Sequence, residues 1–335
     1  MTRVGVVGAG SWGTALASVL AKKGHEVHLW ALESEVVDDI RRSQENKTYL
    51  PGSCLPANLQ ATGDLGEALA EAEFVISVAP SQFVGNVMAD AAQYIREDAL
   101  IVSASKGIEI ATLRRMDEVM RSVFSPAQME GLCVLSGPSF AKEVADEMPT
   151  AVVVASASAA SAVLVQDLFQ TSYFRVYTGS DVVGVELAGA LKNVIALAAG
   201  VVVGLGYGQN TLAALITRGV AEMRRLGIAM GAEASTFAGL AGMGDLVLTC
   251  TGSLSRNRSV GYRLGQGETL EAILGTMSAV AEGVKTVQAV HDLAERYGVE
   301  MPISEEVYGI LVLGAEPAQA LQNLMERDPK PEEWY

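Results

Sequence analysis

Cysteine is scarce in this chain of 335 residues: Cys54, Cys133 and Cys250 are three, far apart and odd in number. They form neither a metal-ligand spacing nor a disulfide framework, and they suit a reducing compartment. Histidine is as rare, and His25, His28 and His291 show no metal or triad spacing. No acidic or histidine cluster suggests a metal. Ser136 and Ser139 lie outside any G-x-S-x-G elbow, so hydrolysis has no support. Positive charge is also short, with 24 lysines and arginines against 39 acids and a formal net charge of −15. That balance argues against nucleic acid as a partner, and no basic run points to an anionic membrane. Any phosphate site must be a local cluster of cations on an acidic background. The first strand begins at once, with no basic and apolar leader ahead of it, so a cytoplasmic protein is expected. The longest apolar stretch, Val182 to Leu205, carries Glu186, Lys192 and Asn193, so it reads as a buried helix and no stable membrane insertion is expected. Internal repeats and low-complexity segments are absent.

What is present begins at residue 4. Val4, Val6 and Val7 read as a short buried strand, and Thr14 to Lys23 as a helix stopped by Gly24. Between them Gly8-Ala9-Gly10-Ser11-Trp12-Gly13 fits G-x-G-x-x-G, with the strand before and helix after that give the pattern meaning. Gly8 permits the tight turn, Gly10 lets backbone approach a pyrophosphate, and Gly13 lets helix and strand pack closely. The helix N-terminus would then hold the phosphates. A second strand, Glu26 to Trp30, follows. Glu33 stands twenty residues beyond Gly13, where an acid hydrogen-bonds the adenine ribose of NAD. It is also placed to be a solvated residue in the first turn of a helix. The next arginines are Arg41 and Arg42, about two helical turns on, so a 2′-phosphate has no nearby cation and the sequence leans to NAD over NADP.

Strands and helices alternate to about residue 178. Phe74 to Val78, Ala99 to Val102, Leu132 to Leu135, Ala151 to Ala155 and Phe174 to Tyr177 read as strands. The pattern predicts a Rossmann-like, doubly wound parallel sheet, with ligands beyond the carboxyl ends of its strands. Pro80, Lys106 and Gly137 follow strand ends and should line one crevice. From residue 181 the periodicity is helical, with Thr211 to Arg225 stopping at Gly227, Leu113 to Val123 helical earlier, and a loose proline-broken tail from Asp328. We therefore expect a dinucleotide-binding domain over 1–180 and an all-α substrate and catalytic domain over 181–335.

Three further segments carry chemistry. Lys192 interrupts an apolar helix, where it either reaches out to solvent or faces a cleft with its pKa lowered by burial, ready to exchange a proton. Asp245, in the glycine-rich turn Gly242-Met243-Gly244-Asp245, fits a helix cap, a partner for a lysine or a ligand for a substrate hydroxyl. Ser255 reads as the N-cap of a helix opening on Arg256 and Asn257, which makes either an anion site or a solvated basic turn.

Together the segments GAGSWGTALA, SKG at 105–107, SGPSFAKE at 136–143, LKNV at 191–194, GMGDLVLTC at 242–250, SRNR at 255–258 and VAEGVKT at 280–286 resemble the bacterial type of NAD(P)-dependent glycerol-3-phosphate dehydrogenase. The resemblance covers nearly the whole chain. It implies reversible hydride transfer between NAD(P)H and dihydroxyacetone phosphate, giving sn-glycerol 3-phosphate for phospholipid synthesis, by a cytoplasmic homodimer. It implies that Lys192 is the catalytic acid/base, and that Lys106 and Asp245 bind substrate and orient Lys192. Gly137 and Ser139 would line the substrate site, and Ser255, Arg256 and Asn257 would hold the phosphate. Ser11, Trp12, Lys106, Ala141, Arg256, Val280 and Glu282 would touch the dinucleotide. Many bacterial members carry arginine or histidine just after the second strand, whereas here the stretch is Trp30-Ala31-Leu32-Glu33, which leaves NADH as the expected coenzyme. The competing enzyme reading is a β-hydroxyacid dehydrogenase acting on a small carboxylate, and the competing class a dinucleotide sensor without turnover.

Overall fold

The computed structural model describes residues 1–277 and 281–332. The chain forms two compact units, one of Met1–Glu109 and Arg114–Glu186, the other of Ile110–Leu113 and the chain from Leu187 onward.

In the first unit the sheet strands are β1 (Arg3–Val7), β2 (Glu26–Trp30), β3 (Leu59–Thr62), β4 (Phe74–Ser77) and β5 (Leu100–Ser103). A two-residue-stranded hairpin, β6 (Ile108–Glu109) and β7 (Arg114–Arg115), stands apart. Then come β8 (Cys133–Ser136), β9 (Thr150–Ser156) and β10 (Phe174–Gly179). The main sheet has the order β3-β2-β1-β4-β5-β8-β9-β10. Val4 and Val6 pack with Leu16 and Leu20 on one face, and Val7 and Val75 pack with Met88 and Met120 on the other. Burial on both faces is why these strands read as near-continuous apolar runs.

The expected all-parallel sheet needs one correction. Pairing is parallel from β3 through β8, but β8 and β9 pair antiparallel, and β10 follows β9 in parallel. The helix between β8 and β9 is only Ala141–Ala145, about 7.5 Å of rise. It cannot carry the chain back along a strand as a crossover helix does, so β9 starts at the end where β8 stops.

Other boundaries shift for local reasons. β3 is an edge strand of four residues, too short to show a period in the sequence. The helix expected from Leu113 starts at Met116, because Leu113 takes a left-handed φ of 58° in the hairpin's turn. Gly227 does not stop its helix, which runs Gln209–Ala229. A methyl group at Gly227 would overlap the Phe237 ring, so glycine serves packing there, not termination.

The second unit has no strand among its described residues from Leu187 on. Its central helix, Val182–Gly204, starts in the first unit and is the one described helix long and apolar enough to cross a membrane. Inside the protein 94% of its apolar window is buried, as a core helix requires. Its Gly200 and Gly204 meet Gly261 and Gly265 of the Arg256–Gly265 helix. A Cβ on Gly200 would overlap Arg258 O, one on Gly204 would overlap Tyr262 O, and one on Gly265 would stand 2.6 Å from Val201 O. The two helices therefore touch backbone to backbone, which only small residues allow. Glu222, buried in the Gln209–Ala229 helix, accepts from Ile303 N–H at 2.6 Å and Ser304 N–H at 3.2 Å, and so closes the start of the Pro302–Val312 helix. Sequence reading gave no helix at Pro317–Met325. The tail is not loose as far as Lys330, because Arg327 and Lys330 pair with Glu300 at 2.8 and 3.0 Å.

The glycine crossing makes a stability prediction. Gly261→Ala forces a methyl group into Leu197 O and to within 3.0 Å of Val201 N, so it should cost about 2–3 kcal/mol. Gly275→Ala, where a methyl group meets nothing within 4 Å, should stay within about 1 kcal/mol of the parent. Urea unfolding of both variants checks this, and equal midpoints would contradict the close crossing.

Candidate active site

The first unit builds a phosphate cradle from backbone. Gly8 has φ +117°, and a Cβ there would lie 2.9 Å from the Val78 carbonyl carbon, so position 8 admits no side chain. A Cβ on Gly13 would overlap Gly8 O, which fixes how closely helix Ser11–Lys22 approaches β1. At Gly10 a Cβ would meet nothing within 4 Å: this face of the turn is open. No side chain caps the helix, so its first N–H groups are left to a ligand. The Trp12 indole N–H is also buried without a partner. An anionic pyrophosphate fits this turn.

The open turn is braced by residues that sequence reading passed over. Asn46, fully buried, donates to Ala9 O and Thr14 Oγ1, both at 2.8 Å, and accepts from Tyr49 N–H at 3.0 Å. Tyr49 O in turn accepts from Ser11 Oγ at 2.5 Å, while its hydroxyl donates to Glu33 Oε1 at 2.9 Å. Burial and this carboxylate push the Tyr49 phenol up, so it stays a donor. Glu33 is exposed at the N-cap position of helix Ser34–Ser43, yet makes no capping bond. Neither following arginine turns to it: Arg41 Nε donates to Ala61 O at 2.8 Å, and Arg42 pairs with Asp38 at 3.1 Å. The cue was there in Asn46-Lys47-Thr48-Tyr49, but a loop without period gives no reason to pick those residues out.

Pro80, Lys106 and Gly137 follow β4, β5 and β8, neighbours in the sheet. Ser105 Oγ donates to Ala79 O at 2.7 Å. Lys106 Nζ donates to Gly137 O at 3.2 Å, and so does Ser139 Oγ at 3.0 Å. The structure thus joins Lys106, Gly137 and Ser139 beyond the carboxyl ends of two central strands. Gly137 has φ +139°, and a Cβ there would press on Val152 Cα at 2.9 Å. Ala141 opens the short helix that follows.

In the second unit Lys192 does not reach out to solvent. It is 7% exposed, and Nζ donates to Asp245 Oδ1 at 2.7 Å and Thr249 Oγ1 at 3.0 Å. Burial alone opposes the ammonium, but a carboxylate at this distance favours it. Asp245 is not a helix cap. It is the first residue of helix Asp245–Thr251, preceded by a π-helical turn at Leu240–Gly244, and its carboxylate serves the lysine. Thr249, one helical turn later, donates to Asp245 O at 2.6 Å and so presents a lone pair to Nζ. Sequence reading missed Thr249, although i, i+4 spacing from Asp245 puts both on one face. Cys250 beside them is no nucleophile, because burial pushes its thiol up to about 12.

Ser255 caps the next helix as expected, accepting from Arg258 N–H at 3.2 Å. Arg256 is exposed at the opening of that helix. The charge of Glu282 acts on its guanidinium. Asn257 is buried and donates to Asn193 Oδ1 at 2.9 Å. A cation, a capped helix N-terminus and an amide therefore stand together, which suits an anion rather than a solvated turn. Glu282 opens helix Glu282–Tyr297. Val280 lies outside the described residues. No group of three or more metal-ligating side chains occurs among the described residues.

Comparison with known proteins agrees with these features. Residues 3–162 match the family described as NAD-dependent glycerol-3-phosphate dehydrogenase N-terminus, and residues 181–322 match its C-terminus. The chain is 58% identical over 330 residues, 98% of each chain, to glycerol-3-phosphate dehydrogenase [NAD(P)+] of Citrifermentans bemidjiense. It is 57% identical over 332 residues, 99% of each chain, to the protein of that name from Geobacter sulfurreducens. The crystal structure of glycerol-3-phosphate dehydrogenase from Coxiella burnetii superposes with a TM-score of 0.93 at 39% identity, covering 97% of this chain and 99% of that one.

The buried ion pair makes a prediction of its own. Asp245→Ala strands an ammonium inside the second unit and should cost about 3–5 kcal/mol. Lys192→Met with Asp245→Leu should recover most of that, since apolar groups of similar volume remove both charges. Denaturant unfolding at neutral pH reads both, and an unchanged midpoint for Asp245→Ala would mean that Lys192 is solvated.

Proposed function

Because the chain belongs to the NAD-dependent glycerol-3-phosphate dehydrogenase family, we propose that it reduces dihydroxyacetone phosphate reversibly to sn-glycerol 3-phosphate, with Lys192 as the acid/base. The observation that carries this reading is Lys192 itself: a buried ammonium held by Asp245 and Thr249. The enzyme is an NAD(P)-dependent oxidoreductase. We assign the first unit to the dinucleotide and the helical unit to the substrate, in a cytoplasmic protein that acts as a homodimer.

Gly8, Gly10, Ser11, Trp12 and Gly13 hold the pyrophosphate, and Glu33 the adenine ribose, with Lys106, Ala141, Arg256, Val280 and Glu282 as further dinucleotide contacts. When bound, reduced nicotinamide would supply the hydride for the substrate's carbonyl carbon. As negative charge grows on the carbonyl oxygen, Lys192 gives it a proton, so the interaction strengthens toward the transition state. Asp245 and Thr249 fix the ammonium in place before the reaction, so little reorganisation is left for the chemical step. Ser255, Arg256 and Asn257 anchor the phosphate at the far end of a three-carbon substrate and turn binding into orientation. Lys106, Gly137 and Ser139 complete the substrate contacts. In the reverse direction the neutral amine of Lys192 takes the hydroxyl proton of glycerol 3-phosphate.

Glu33 sets the coenzyme. Tyr49 holds its carboxylate by one oxygen, which leaves the other for a ribose hydroxyl. A 2′-phosphate would face that carboxylate with Arg41 and Arg42 already engaged.

Loss of reduced-nicotinamide absorbance with dihydroxyacetone phosphate tests the reaction. The purified protein should oxidise NADH, with kcat/KM at least about tenfold above that for NADPH, and Lys192→Ala should abolish turnover. Arg256→Ala should raise KM for dihydroxyacetone phosphate by about tenfold or more. A NADPH preference of that size would overturn the role of Glu33. No oxidation of either coenzyme would overturn the reaction.

A further inference from the structure

Lys192, Arg256 and Glu282 stand on three different helices. Each is followed in sequence by a residue of one buried junction: Asn193 after Lys192, Asn257 after Arg256, Gly283 after Glu282. Asn257 Nδ2 donates to Asn193 Oδ1 at 2.9 Å, and Asn257 Oδ1 accepts from Gly283 N–H, also at 2.9 Å. Asn193 Nδ2 reaches back to Gly189 O at 3.5 Å. Asn193 and Asn257 are 5% and 7% exposed, and Gly283 is buried. Contact at Gly283 is tight enough to exclude a side chain, since a Cβ would lie 2.6 Å from Asn193 O and 2.9 Å from Asn257 Oδ1.

We propose that Asn257 is a positioning residue whose buried amide locks the turns bearing Lys192, Arg256 and Glu282 together, so that proton donor, phosphate anchor and coenzyme contact are placed by one group. The proposal rests on the roles assigned above to those three residues. Only a side-chain amide of this length fills the place. It must accept from a backbone N–H on one side and donate to an amide oxygen on the other; a carboxylate lacks the donor, and a longer amide does not fit between fixed backbones. A buried bond of this kind is costly to leave half-made, so the three turns move together or not at all. The amide keeps one further N–H, which leaves Asn257 able to touch the phosphate as well. Direct contact alone and positioning therefore need to be separated by experiment.

Two variants of the enzyme separate them. Asn257→Asp is isosteric; it keeps the acceptor for Gly283 and loses the donor to Asn193. Gly283→Ala leaves every polar group in place and wedges a methyl group into the junction. Steady-state kinetics give kcat and KM for dihydroxyacetone phosphate, and fluorescence titration gives Kd for NADH without turnover. Positioning requires each variant to lower kcat by about tenfold or more and to raise Kd for NADH several-fold, with the double variant no worse than the poorer single one, because both break one junction. A rise in KM for dihydroxyacetone phosphate alone, with kcat and NADH binding unchanged, would reduce Asn257 to a phosphate contact and overturn the proposal. Independent, multiplying effects would overturn it too. If Gly283→Ala does not unfold cooperatively, Asn257→Asp decides alone through kcat and Kd for NADH. Failure of the parent enzyme to oxidise NADH with this substrate would instead strike the reaction, and the NADH titration would still judge the junction.

Discussion

An ammonium group buried in an apolar helix constrains everything around it. Lys192 cannot stay charged there without a carboxylate within reach, and that carboxylate cannot stay charged without donors of its own. Asp245 and Thr249 meet the demand from one face of a single short helix. The π-helical turn before that helix is part of the same solution, since it sets the register in which Asp245 arrives. Replacing the pair with hydrocarbon would simplify the core at no cost in stability.

The second unit reaches this precision with unusually bare material. Where the Val182–Gly204 and Arg256–Gly265 helices cross, glycines bring backbone against backbone. Close approach is what lets Asn257, one residue into its helix, reach a side-chain oxygen on the neighbouring one. A larger residue at the crossing would hold the helices apart and break the bond between two buried amides. Packing and polar chemistry are thus coupled: small residues set the distance, and amides use it.

Much of this was legible in the residues, and the reasons differ from place to place. The glycine turn was readable because each glycine answers a local steric demand, and so was the Ser255 cap, because capping is settled within four residues. Lys192 was conspicuous by its setting, but its partner was not: a separation of 53 residues is set by tertiary packing, and Asp245 fits a cap equally well in one dimension. The antiparallel β8–β9 step escaped notice because both edges of that connection look like ordinary strands, and direction leaves no mark on composition. Asn46 and Tyr49 were invisible for a related reason, since a loop's worth lies in what it touches. Gly227 misled because the same residue type stops helices and admits aromatic rings.

The order in which the chain is made gives the central helix another significance. Val182–Gly204 emerges from the ribosome with the hydropathy of a membrane span, while the glycines that cover its crossing face lie at Gly261 and Gly265, more than fifty residues further along. During that interval the face that carries Gly200 and Gly204 lacks the helix that later packs on it. By then the residues of the α/β sheet have all been synthesised, and domains generally fold as units from the N-terminus. The buried charge that Asp245 and Thr249 hold has a second effect here. Lys192 near its middle, with Glu186 a turn and a half before it, makes the segment a poor substrate for insertion into lipid, and so keeps a hydrophobic core helix from being taken for an anchor.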